Sequence, residues 1–194
     1  TIPESSLELL KNRELIALNQ DPLGLQAYVV QHKNGGYVLT KDMEQKRGKV
    51  RTVAFYNPSD TICSFSIPTT QLELGGKIKV RDLIKRQSVG TVTNKLVYEL
   101  PPHSVKILRL EAEQRLEPTH YEAEWAYLPC YNDLATHPRN ILYTPLKDAS
   151  GGIIVRYLGG QAENYAEWNE VYSEKGGRYI FLMSRVQTAN WKSK

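Results

Sequence analysis

Glu122 and Glu124, in the run "YEAEW", are the first residues whose types and spacing could do chemistry. Two carboxylates separated by one residue fall on the same face of a strand, because strand side chains alternate with a period of two. Side by side they repel unless a cation or a raised pKa relieves them. Paired carboxylates carry out glycoside hydrolysis. A cluster of hard oxygen ligands also suits calcium. A solvated strand face explains the same spacing with no chemistry at all.

Aromatic side chains form the second candidate set. Trp125, Trp168 and Trp191, with Tyr121, Tyr157 and Tyr165, concentrate in the last third of the chain. Sugar rings stack on flat aromatic faces, which bury C–H surface while polar groups orient the hydroxyls. On strands the same side chains also serve as core. Other chemistries lack their residues. There is no Gly-x-Ser-x-Gly elbow, no His-rich metal motif and no Gly-x-x-x-x-Gly-Lys phosphate loop. His32, His103, His120 and His137 have no Cys or Asp at a useful spacing. The Gly-Gly pairs precede or separate strands, as turns require. Cys63 and Cys130 lie far apart without metal spacing and are expected to be free, buried thiols.

The elements that must position these residues fall into parts of different character. The chain has 194 residues, with 41% hydrophobic and 24% charged side chains, which suffices for one large domain or two small ones. The net charge of +4 comes largely from "KDMEQKRGKVR" and "KVRDLIKR". Both read as a solvated loop and strand face, with no aromatic interleaving, so no nucleic-acid partner is expected. No apolar run approaches the roughly 18 residues of a membrane span, so no membrane partner is expected.

Residues 1–24 read as helical. Ser5 and Glu8 fit a capping box, and Leu7, Leu9, Leu10, Leu15, Ile16 and Leu18 supply an apolar side. Asp21-Pro22 stops the helix, because the residue before proline is pushed out of helical geometry, and Gly24 completes the exit. A helix this short is marginal alone and needs a partner surface. Residues 25–111 read as an antiparallel β-sandwich of six to eight short strands bounded by Gly, Pro and Asn clusters. Asn34-Gly35 is a strong hairpin signal, and Asn57-Pro58-Ser59-Asp60 reads as a turn. In "SVKILRL", Val105 and Ile107, joined by Leu108 and Leu110, are expected inward, with Lys106 and Arg109 outward. Residues 112–120 read as a polar linker. Residues 121–194 read as a second, small or incomplete β domain of four or five strands.

The stretch "LLKNRELIALNQDPLG" resembles the segment that closes the catalytic barrel in the α-galactosidase family of glycoside hydrolases (family twenty-seven). The match at Asn19, Gln20, Asp21, Pro22, Leu23 and Gly24 is nearly complete. A second patch, "RDLIKRQSVGTVTNKLVYELPPHSVKILRL", resembles the late strands of that family. It has isoleucine at Ile84, where the family commonly has an aromatic residue. "YEAE" and "ASGGIIVRYLGGQAENYAEWNEVYSEKGGRY" are similar to jelly-roll carbohydrate-binding modules (families six and thirty-five).

These resemblances imply a mainly β chain. It would comprise a remnant of the last helix of a (β/α)8 barrel at 1–24, the antiparallel sandwich that packs on the barrel at 25–111, the linker at 112–120, and a partial jelly-roll-like module at 121–194. The catalytic aspartates of the family lie on the barrel, which is expected to precede residue 1, so this chain is expected to be inactive alone. The parent reaction implied is retaining hydrolysis of terminal α-galactosides by a secreted or periplasmic enzyme. The module implies a structural calcium on Glu122 and Glu124, with no cofactor required for chemistry. It also implies carbohydrate contacts, to a galactoside or plant glycan, from Trp125, Tyr157, Tyr165, Trp168 and Trp191. Partners are then the barrel and carbohydrate. An exposed barrel-facing surface is expected to drive self-association. The alternatives are a stand-alone carbohydrate-binding module and a purely structural accessory sandwich.

Overall fold

The structure, a computed structural model, describes residues 2–44, 48–118, 120–129, 141–149, 153–158, 164–168, 171–178, 180 and 182. Two short helices, α1 (Glu4–Leu10) and α2 (Arg13–Asn19), precede eight strands. These are β1 (Tyr28–Lys33), β2 (Gly36–Asp42), β3 (Val50–Asn57), β4 (Cys63–Pro68), β5 (Leu74–Asp82), β6 (Gln87–Val92), β7 (Lys95–Leu100) and β8 (Ser104–Arg115). A 3-10 turn (Ala123–Trp125) and a strand pair, β9 (Leu142–Pro145) and β10 (Ile153–Arg156), follow.

All strand pairs are antiparallel. One sheet has six strands in the order β1-β2-β3-β8-β5-β6, and β4-β7 forms the facing layer. The β1–β2 hairpin turns at Asn34 (φ 52°) and Gly35 (φ 79°). Two successive left-handed residues make the turn whose twist matches that of paired strands. At Gly36 an added Cβ would lie 2.6 Å from the Phe65 ring, so only glycine lets the sheets close there.

Alternation builds the core. Val38, Val53, Phe55, Leu108, Leu110, Ile78 and Val80 point inward from the large sheet, and Cys63, Phe65, Ile67, Leu96 and Leu100 from the small one. Phe55 meets Phe65 and Tyr98 edge-on, with ring centroids 5.5 and 5.2 Å away, a favoured aromatic geometry. Asn57 is fully buried where the chain leaves the large sheet for the small one. Its amide donates to the carbonyls of Leu100 and Pro101, and its Oδ1 accepts from Ser59. One end of the interior is closed by ions. Arg51 and Arg115, both with fully buried side chains, share Asp42 and Glu73.

Three expectations change. The capping box at Ser5 does not form, because Pro3 (φ −56°) starts α1 earlier and no side chain caps it. In β8 the inward face is Leu108, Leu110 and Ala112, whereas Val105 is 44% exposed and Ile107 shares its outer face. Lys106 is on the inward register, where its Nζ reaches Asp82 at 2.8 Å and lies over the Tyr98 ring. β8 also continues through Arg115, because residues 112–115 pair with β5 instead of forming linker. In the last part, the described residues hold two paired strands and one isolated bridge, Tyr127–Glu167. Its core is small: Ala126, Leu128 and Ile141, flanked by Val155, Ala166 and Trp168. Cys63 is a buried free thiol; Cys130 and His137 lie outside the described residues.

Candidate functional site

Two places combine unusual side chains with defined geometry. The first is the helical junction. α1 and α2 are separate because Asn12 breaks the run and caps the second helix. Its Oδ1 accepts from the amides of Glu14 (3.0 Å) and Leu15 (3.4 Å). Its side-chain amide donates to the carbonyl of Leu83 at 2.8 Å, across 71 residues of sequence. Two residues on, the Glu14 carboxylate receives Arg81 through two short hydrogen bonds, 2.7 and 2.6 Å. That pairing holds the Glu14 carboxyl below the usual carboxylate range, outweighing the effect of burial. Lys41 Nζ donates to the carbonyls of Leu18 and Leu25. Asp21, buried at the helix exit, accepts from Leu23 and from Glu44. Gly24 (φ 63°) then turns the chain toward β1.

Arg81 pairs with Arg109 across β5–β8 and Lys41 with Thr52 across β2–β3, a register opposite to that of the core residues. The helices therefore lie on the outer face of the six-stranded sheet. That face is apolar at its other end. His32, Tyr37, Tyr56 and Val105 form one cross-strand row, with His32 stacked on Tyr37 at 4.2 Å. Tyr56 and Val105 are each 44% exposed. On the helices, Leu9, Leu10 and Ile16 are exposed as well.

The second place is a cavity of about 300 Å³ at the seam between the sandwich and the last part. Gln26, Ala27, Tyr28 and Val29 form the sandwich wall; Glu124, Trp125, Tyr127, Tyr143, Glu167 and Trp168 are among those opposite. The 3-10 turn aims Glu124 and Trp125 into it. Tyr28 stands 5.8 Å from Trp125, centroid to centroid. Its hydroxyl accepts from Arg51 at 2.7 Å, which ties the cavity wall to the buried ion cluster. Trp168 donates its indole N–H to the carbonyl of Glu122 (3.0 Å). Tyr143 donates its hydroxyl to the carbonyl of Glu124 (3.3 Å). Burial pushes the Glu124 carboxyl up, with a smaller push from Glu122.

The sequence-expected residues separate here. Trp125 and Trp168 meet in the cavity. Tyr157 and Tyr165 are exposed and do not line it; the Tyr157 ring lies under Arg156 instead. Trp191 lies outside the described residues. Glu124 lies in a 3-10 turn and Glu122 immediately precedes it, so the two do not share one strand face. Glu122 binds His120 at 2.9 Å while Glu124 faces the cavity. Among the described residues, no group of three or more His, Cys, Asp or Glu side chains gathers where a metal could sit. The spacing argument missed Asn12, Tyr127, Tyr143 and Glu167. Tyr127 and Glu167 stand beside Leu128 and Trp168, whose burial drags their neighbours to the seam.

Comparison with known proteins bears on the sandwich. Residues 34–110 match the family model described as the α-galactosidase C-terminal β-sandwich domain. The sandwich is similar to the α-galactosidase C-terminal type over these residues. A probable α-galactosidase of Dictyostelium discoideum is 28% identical over 113 residues, covering 56% of this chain and 29% of that protein. A family twenty-seven β-L-arabinopyranosidase from Geobacillus stearothermophilus superposes with a TM-score of 0.52 at 28% identity, over 58% of this chain and 25% of its own. α-Galactosidase I from Mortierella vinacea shares the fold, with a TM-score of 0.54 at 22% identity over 60% of this chain and 30% of its own. This chain therefore spans under a third of each of these relatives. The seam cavity draws its walls from both sides of the matched segment, from Gln26, Ala27, Tyr28 and Val29 before it and from residues after it.

Proposed function

We propose that the chain is the non-catalytic C-terminal part of an α-galactosidase-like glycoside hydrolase. Its sandwich supports a catalytic (β/α)8 barrel that acts on terminal α-galactosides. The observation that carries this reading is the junction. The segment "NQDPLG" and the helix before it are held on the outer face of an α-galactosidase-type sandwich by Asn12, Glu14 and Asp21. A helix of seven residues has little stability of its own, so its position is set by these tethers. The exposed apolar side of α1 and α2, with Tyr56 and Val105 at the other end of the same face, is the surface a barrel would cover.

A large exposed apolar face favours association. Sedimentation equilibrium on this chain is expected to show reversible self-association that weakens in Val105→Asp. A clean monomer at all concentrations would count against a barrel-facing surface there. A second reading, a carbohydrate-binding role, is favoured by the seam cavity.

A further inference from the structure

We propose that the seam cavity is a binding site for one neutral pyranose ring, with the sandwich itself as one wall. This rests on the carbohydrate-binding reading and deepens it, naming one ring as the ligand; it is independent of the support of a barrel.

The size sets the scale. About 300 Å³ is at the small end of ligand pockets, which leaves room inside for one ring. The lining sets the chemistry. Trp125, Trp168, Tyr127 and Tyr143 offer flat apolar faces, and Glu124 and Glu167 offer oxygen atoms. Among the described residues, no Lys, Arg or His lines the cavity, which disfavours phosphates and carboxylates. An organic cation would welcome the aromatic faces. It would also want a firm counter-charge, and burial drives Glu124 toward its neutral form. A carboxyl of that kind suits sugar hydroxyls, donating or accepting as needed.

The site is also set before a ligand arrives. Trp168 is fixed by Glu122, Tyr143 by Glu124, and Tyr28 by Arg51. Rotamers already held in place lower the ordering cost of binding.

The test uses the whole chain and two-dimensional NMR of backbone amides and indole N–H groups. The probes are methyl α-D-galactopyranoside, methyl β-D-glucopyranoside, D-galacturonate and tetramethylammonium. A neutral glycoside is expected to move the Trp168 indole and the Tyr127 and Glu167 amides at millimolar concentration. Galacturonate should bind more weakly, because no cationic side chain among the described lining residues pairs with its carboxylate. Tyr127→Ala should weaken the neutral glycoside about five-fold. This ring is 49% exposed, so its loss leaves the fold intact. Glu124→Gln should weaken it by about the same factor. Tyr157→Ala and Tyr165→Ala, away from the cavity, should change nothing. The proposal is overturned if neither neutral glycoside moves these resonances, or if tetramethylammonium moves them instead. It also falls if the Tyr157 or Tyr165 variant, and not the Tyr127 variant, loses binding.

Discussion

Asn12 is the residue on which the junction turns, and Asn12→Ala tests it. In the folded chain its oxygen caps α2 and its amide donates to the Leu83 carbonyl, with the side chain almost wholly buried. Losing an asparagine cap costs about 1 kcal/mol. Losing the buried hydrogen bond, and stranding the Leu83 carbonyl, costs about 1–1.5 kcal/mol more. The sum, about 2–2.5 kcal/mol, is a 30- to 70-fold larger opening constant for α2, to about that precision. Hydrogen exchange reads it directly at the amides of Ile16 and Gln20, which donate within the helix to Asn12 and Ile16. Those amides should exchange faster by this factor, while sheet amides such as Val53 and Leu108 stay unchanged. Asn12→Asp keeps the cap and loses the donor, so it should show roughly half the free-energy effect. Unchanged exchange in α2 would refute the tether. Equal acceleration in helix and sheet would show that Asn12 serves global stability instead.

The remaining predictions follow from burial and charge. Phe55 is fully buried between Phe65 and Tyr98, so Phe55→Ala should cost about 3–5 kcal/mol in denaturant unfolding; a loss below 1 kcal/mol, on that same scale, would contradict the packing. Glu14, whose pKa is lowered by Arg81, contributes stability above the ordinary glutamate range that is lost as pH falls through its depressed pKa. Protection of α2 should therefore decline on acidification, and Glu14→Gln should flatten that decline. Glu124, whose pKa is raised by burial, acts in the opposite sense: its neutral form stabilises at low pH, and that stability is lost as pH rises through the raised pKa. Glu124→Gln should thus unfold at a higher temperature than the parent at neutral pH and not at acid pH.

Local signals carried the sandwich and the junction. Asn34-Gly35 specified its hairpin because both residues tolerate positive φ. Asp21-Pro22-Leu23-Gly24 specified the helix exit because proline and glycine act on the backbone directly. The β8 phase was hidden because both faces of the strand carry apolar groups. Leu108 and Leu110 fill the core, while Val105 and Ile107 lie on the outer face. The capping box was outcompeted by a proline two residues before the serine. The ion cluster joins Asp42 and Arg51 to Glu73 and Arg115 across as many as 73 residues, with no local trace. The cavity was half legible. Trp125 and Trp168 stood out by type, but Tyr28 belongs to the other side of a seam that only the tertiary fold creates.

Hydrolysis of an aryl α-galactoside by this chain alone tests the account most directly. A sandwich that only supports a barrel predicts no turnover above the rate in buffer, whether or not the seam cavity binds sugar. Turnover by the purified chain that disappears in Glu124→Gln or Glu167→Gln would contradict it, because catalysis would then reside in the seam carboxylates.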